Sequence, residues 1–206
     1  MPRIKQCGFA AMALAVVVVG CAPSQPIRYF ALTPLGNEVP VAETEQSIGV
    51  FPIALANYLD RNGIVTRTSP NELTVASTDN WIEPLDLQIR GVVARNLAQL
   101  LGTDQVFVLP EQRLLPLDYT VEIAVERFDI EVGAANTEAA PELVVFEGRW
   151  SLFERESRDV LETAPFRVTE PVTAPATFES RTTAMSDATA RLSRIIATAI
   201  ASQGSS

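Results

Sequence analysis

A chain of 206 residues, 47% of them hydrophobic, is long enough for one domain with its own core and too apolar to be disordered. With 16 Lys and Arg against 25 Asp and Glu, its formal net charge of −9 exerts no general pull on phosphate backbones and argues against nucleic-acid binding. Histidine is absent, cysteine occurs only at Cys7 and Cys21, and neither a G-x-x-x-x-G-K-[ST] loop nor a G-x-G-x-x-G fingerprint is present. These gaps remove His-activated nucleophiles, imidazole zinc sites and a nucleotide cradle.

The first residues, MPRIKQCG, carry Arg3 and Lys5 and no acid, and an unbroken apolar run follows from Phe9 to Val19. That run is far shorter than the ~20 residues a helix needs to cross the hydrocarbon core, and Pro23 and Pro26 stand close behind it. A short apolar stretch after a basic start is the pattern of an export signal. Its end, VVGC at Val18 to Cys21, resembles the bacterial lipobox. The resemblance implies cleavage between Gly20 and Cys21, with diacylglycerol and an N-acyl chain on Cys21 and no other cofactor. Fatty chains contribute ~0.8 kcal/mol per buried methylene, and two or more give stable anchoring. Ala22 stands where an aspartate commonly retains such proteins at the inner membrane. The sorting rule therefore implies the outer membrane of a Gram-negative bacterium, with the chain facing the periplasm. Loss of residues 1–20 leaves 14 basic and 25 acidic residues, a net charge of −11, and no pair of thiols for a disulfide.

Residues 21–26 then form the lipidated cysteine and a short tether, residues 27–202 the domain, and residues 203–206 a frayed end. Arg28 to Leu32 reads as a strand stopped by Pro34, and residues 35–46 as a loop. Ser47 to Ile53 reads as a buried strand closed by Pro52. Asn62-Gly63 signals a tight turn, and Ser69 to Glu72 a second turn between two short strands. From Pro84 the period changes: Leu85, Ile89, Val92, Val93, Leu97, Leu100 and Leu101 form one helical face that ends at Gly102. Gln105 to Leu109 reads as a further buried strand. Tyr119, Val121, Ile123 and Val125 alternate with Thr120, Glu122, Ala124 and Glu126, and the apolar phase then slips to Phe128, Ile130 and Val132. Such a slip predicts a β-bulge near Glu126 and Arg127, or a bend. After a loop at 133–142, Val144, Phe146, Trp150 and Leu152 alternate again, and residues 164–170 read as a strand. Met185, Ala188, Leu192, Ile195, Ile196, Ala199 and Ile200 mark a C-terminal amphipathic helix. The order predicts an α+β single domain, a largely antiparallel or mixed sheet with two long helices packed on it.

Several fragments together resemble the ABC-type transport auxiliary lipoproteins: Ile48 to Arg67, Trp81 to Pro84, Asn96 to Gly102, Asp118 to Asp129 and Arg191 to Ile200, in the family's order. Asn62-Gly63, where the family often has proline, and the loop at 133–142 depart from its pattern. The resemblance implies a non-catalytic auxiliary subunit that docks with an MCE-domain protein and a membrane permease at the outer-membrane bilayer, moving lipids between membranes. A conduit needs an encircling or capping element, so that role also makes room for a homo-oligomer.

Tyr58, Leu59, Asp60 and Arg61 form a compact amphipathic patch before the Asn62-Gly63 turn. With Trp81 they are the candidate partner-binding residues. The alternative reading is local: Asp60 and Arg61 satisfy the turn, Tyr58 and Leu59 pack, and Trp81 and Trp150 anchor the core. Glu122 and Glu126 lie ~13 Å apart along an extended strand at ~3.3 Å per residue, beyond the ~5–9.5 Å between glycosidase carboxyls. Metal ligands are not expected. The competing functional reading is a lipid carrier holding an acyl chain between sheet and helices.

Overall fold

The computed structural model describes residues 25–109, 117–133, 141–154, 156–157 and 159–203. Its strands are β1 (Arg28–Phe30), β2 (Ile48–Val50), β3 (Ala54–Leu55), β4 (Gly63–Ser69), β5 (Glu72–Trp81), β6 (Val106–Val108), β7 (Tyr119–Glu131), β8 (Leu143–Glu154) and β9 (Val160–Pro171). Its helices are α1 (Leu85–Leu100) and α2 (Phe178–Gln203).

The thirteen-residue β7 organises the sheet. Along one edge it pairs in parallel with three short segments in turn: β2 at Tyr119–Val121, β3 at Ala124 and Val125, and β4 at Ile130 and Glu131. Along the other edge it pairs antiparallel with β8, and β8 with β9. β6 extends the sheet beyond β2, while β5 and then β1 extend it beyond β4. The sheet is therefore mixed. The β4–β5 hairpin closes at Pro70 and Asn71, as the Ser69 to Glu72 turn predicts.

Among the described residues, both helices cover the same face of the sheet. Val121, Ile123, Val125, Phe128 and Ile130 of β7 face the core with Phe146, Trp150 and Leu152 of β8 and Phe166 and Val168 of β9. Phe128, Phe146 and Phe166 form an aromatic chain with centroid spacings of 4.4 and 5.0 Å. The predicted bulge is present between Val125 and Arg127. α1 fills the same layer with Ile89, Val93 and Leu97, and α2 with Met185, Leu192 and Ile196. Gly102 ends α1 with φ +55°, the left-handed conformation that favours glycine. Thr177 and Ser180 cap α2 reciprocally: each backbone N–H donates to the other's hydroxyl, at 2.9 and 3.2 Å.

The segment after β1 is stitched to both helices by side chains. Leu32 N–H donates to Gln88 Oε1 (2.8 Å), Thr33 N–H to Ser186 Oγ (3.1 Å) and Leu35 N–H to Asn96 Oδ1 (2.8 Å). Asn96 Nδ2 in turn donates to Ser193 Oγ (3.1 Å), joining the helices.

Four details differ from the sequence reading. Asn62-Gly63 makes no hairpin. Gly63 opens β4, and a side chain there would run into the Ala76 carbonyl oxygen, so close approach rather than turn conformation selects glycine. β6 is only half-buried. Thr120, paired with Gly49 and Phe153, is buried rather than wet. Ile195 is exposed, because the covered stripe of α2 runs through Thr189, Ser193, Ile196 and Ile200. The Thr189 and Ser193 hydroxyls donate to their own helix's carbonyls at Met185 and Thr189, so small polar residues fit against α1 without unpaired groups. The loop at 133–142 falls mostly on 134–140, outside the described residues.

Candidate docking surface

The bulge in β7 creates the site. Before it, Val121, Ile123 and Val125 face the core; after it, Phe128 and Ile130 do. The shift turns Arg127, Asp129 and Glu131 together onto the face away from the helices. Parallel pairing of β4 sets Arg67 opposite Glu131. Four residues back along β7, Arg127 stands beside Glu147 of β8 and Arg167 of β9, with Arg167 paired to Glu147.

Asp129 is fully buried, yet every donor it needs is present. Its Oδ2 accepts from Arg67 Nη2 (2.8 Å), Arg67 Nε (3.2 Å) and Tyr58 Oη (3.1 Å), and its Oδ1 from Arg127 Nε (2.9 Å). Arg127 Nη2 also donates to Glu131 Oε2 (2.5 Å). Burial works against the charge of Arg127, but the hydrogen bonds to Glu131 and Asp129 outweigh it and push its pKa up. Arg67, Arg127, Glu131 and Arg167 border a surface groove of about 780 Å³ with Ser69, Pro70 and Val132.

Tyr58 ties this cluster to the loop between β3 and β4. Ala56 N–H donates to Val125 O at the bulge (2.9 Å), Leu59 N–H to Ala56 O (2.9 Å), and Trp81 N–H to Asn62 O (2.7 Å). Both ends of the loop are thereby fixed. Burial first, then the charge of Asp129, pushes the Tyr58 phenol up to about 12. Since a free phenol titrates near pH 10, the raised value means the fold prefers the neutral form. The stabilisation is fully present below pH 10 and is lost as pH climbs through about 12. Wild type should therefore lose melting temperature over that interval faster than Tyr58→Phe does. Parallel melting profiles for the two would contradict the assignment.

Of the candidate residues, the structure brings Tyr58–Arg61 and Trp81 to one place but presents only some of them. Asp60 and Arg61 are exposed and Tyr58 is half-buried. Leu59 and Trp81 are 1% and 5% exposed. A partner-facing role for those two side chains does not fit such burial: Leu59 plugs the loop into the core, and the Trp81 ring packs in the core while its backbone holds Asn62. Gly20 and Cys21 lie outside the described residues. The sequence reading missed Arg67, Arg127, Asp129 and Glu131. The phase slip in β7 was the available signal, because it puts three charged residues on one face. Glu122 and Glu126 are exposed on that face. Among the described residues no helix is long and apolar enough to cross a membrane, and no group of three acidic or sulfur ligands could hold a metal.

A mixed sheet with two helices on one face and, on the other, a charged cluster carrying a fixed loop is a scaffold for presenting a surface. The chain belongs to the ABC-type transport auxiliary lipoprotein component family, whose model matches residues 30–197. It is similar to the intermembrane transport lipoprotein PqiC of Escherichia coli, at 26% identity over 119 residues, and equally to PqiC of Shigella flexneri. The match covers 56% of this chain and 62% of that protein, less than two thirds of its length. In fold it is similar to the crystal structure of protein XCC0632 from Xanthomonas campestris: TM-score 0.71, 19% identity, 86% of this chain and 98% of that one.

Proposed function

We propose that this chain is a non-catalytic, lipid-anchored docking subunit of an MCE-type intermembrane lipid-transport system, held at the outer membrane through Cys21. The observation that carries the reading is the family match across residues 30–197, joined to a loop that is fixed at both ends and offers Asp60 and Arg61 to solvent. The similarity to PqiC supplies the intermembrane-transport context. Docking is favoured over an acyl-chain carrier because the layer between sheet and helices is filled by side chains such as Phe128, Phe146, Trp150, Ile89 and Leu97, each at most 1% exposed. The partner is an MCE-domain protein working with a membrane permease, and the anchor supplies location.

Photo-crosslinking in cells from Asp60 and Arg61 is expected to trap the MCE-domain protein, while the same probe at Ile195 on α2 traps none. Loss of the adduct at both loop positions, with the protein present at normal levels, would sink the docking assignment. Separately, Cys21→Ser is expected to abolish palmitate labelling and release the chain from the envelope into the soluble periplasmic fraction. Continued fractionation with membranes would overturn the anchoring assignment.

A further inference from the structure

The end of the sheet away from β8 and β9 carries an apolar edge that the docking surface does not use. Among the described strands β1 is the outermost there, and its one partner is β5. Arg28 and Phe30 point toward the helices: Arg28 pairs with Asp79 and stands 6.0 Å from the Phe178 ring, and the Phe30 ring lies 6.1 Å from the same ring. Strand alternation turns Tyr29 the opposite way. Ile82 N–H donates to Phe30 O (2.9 Å), which continues the ladder and brings Ile82 beside the same edge. Tyr29 and Ile82 are each 59% exposed and Ile27 is 56% exposed, next to an exposed Ala31.

We propose that Ile27, Tyr29 and Ile82 seat this edge in the headgroup layer of the bilayer that holds the chain; the proposal rests on the reading of Cys21 as the lipidated residue. Six residues lead from Cys21 to Ile27, a reach of at most about 20 Å even when fully extended. No other exposed apolar pair among the described residues lies so near the anchor in sequence. Tyrosine flanked by isoleucine suits that layer, with the ring apolar and the hydroxyl wet. Electrostatics does not drive the contact, since the chain from Cys21 onward carries 14 − 25 = −11 and Glu83 is exposed beside Ile82. The occupant is therefore a largely zwitterionic surface met by apolar side chains. Strand addition by another chain is disfavoured at a three-residue edge bounded by Pro26 and Pro34.

Lipidation consumes Cys21 and export removes Cys7, so an introduced cysteine is the sole thiol of the mature chain. Lipidated full-length protein bearing Y29C, I82C or I195C, each labelled with an environment-sensitive fluorophore, is placed in vesicles of phosphatidylethanolamine with a minor share of phosphatidylglycerol. The expected result is a blue shift at positions 29 and 82, quenched by lipids brominated near the headgroup, and none at 195. Unshifted emission at 29 and 82 in protein whose intact mass confirms the lipid overturns the seat and leaves the anchor standing. A shift that grows with protein density at fixed lipid assigns the edge to a second copy and likewise overturns it. An intact mass without lipid sinks the anchoring reading, and the seat falls with it.

Discussion

Alanine in place of Gly148 is expected to lower the unfolding free energy by about 3 kcal/mol or more, at the upper end of overpacking costs. Gly148 pairs with Val125 on one side and Phe166 on the other, directly against the β7 bulge. A methyl group there would enter the backbone carbonyl of Ala124 and come within 3.1 Å of the Phe166 ring. Neither neighbour has room to retreat: the carbonyl belongs to the central strand, and Phe166 stacks edge-on against Phe146. Urea titration reads the change as a fall in midpoint at constant slope. Gly36→Ala is the control, since nothing lies within 4 Å of a methyl group at that loop position; its stability should match wild type. A Gly148→Ala chain within about 1 kcal/mol of wild type would show that the bulge relaxes, and that the glycine is not selected by close approach.

Asp129→Ala is expected to be nearly as damaging and to reach the loop between β3 and β4 as well. Removing one member of a buried ion pair costs about 3–5 kcal/mol, because the partner charge is left desolvated. Arg67 and Arg127 keep 18% and 17% of their side-chain surface in water, which puts the loss near the lower bound. At about 3 kcal/mol the melting temperature of a domain this size falls by roughly 6–12 °C. Tyr58 loses its acceptor in the same step, so the loop presenting Asp60 and Arg61 loses its central tie. Reduced crosslinking from Asp60 at a temperature where the variant is still folded is the second readout. Wild-type melting together with wild-type crosslinking would show that the three donors are satisfied by water and that Asp129 holds nothing in place.

The sequence made the core faces legible wherever a period ran long enough. The α1 stripe from Leu85 to Leu101, the alternation from Tyr119 to Val125 and the phase slip after it all point to the faces the structure buries, and Pro84 and Gly102 bracket the helix where backbone chemistry requires. What stayed hidden was long-range. Strands of two or three residues, such as Ala54–Leu55, have no period to detect, and their identity comes only from pairing with β7. Thr189 and Ser193 add nothing to the apolar stripe of the sequence, yet both are buried, because carbonyls of their own helix satisfy their hydroxyls. The candidate surface was half visible. Tyr58–Arg61 stands out as a compact patch, but Asp129, which locks it, lies 71 residues away from Tyr58 and joins it only when β4 and β7 align.

The three backbone N–H hydrogen bonds that fasten residues 32–35 to Gln88, Ser186 and Asn96 also decide how the molecule bears load. A pull on the N-terminal end of the described chain meets β1 first and then these bonds, which distribute tension into both helices at once. Because the helices are themselves linked at Asn96 and Ser193, the segment from Leu32 to Leu35 cannot detach from one helix while the other holds. The junction is built to resist traction applied ahead of residue 32.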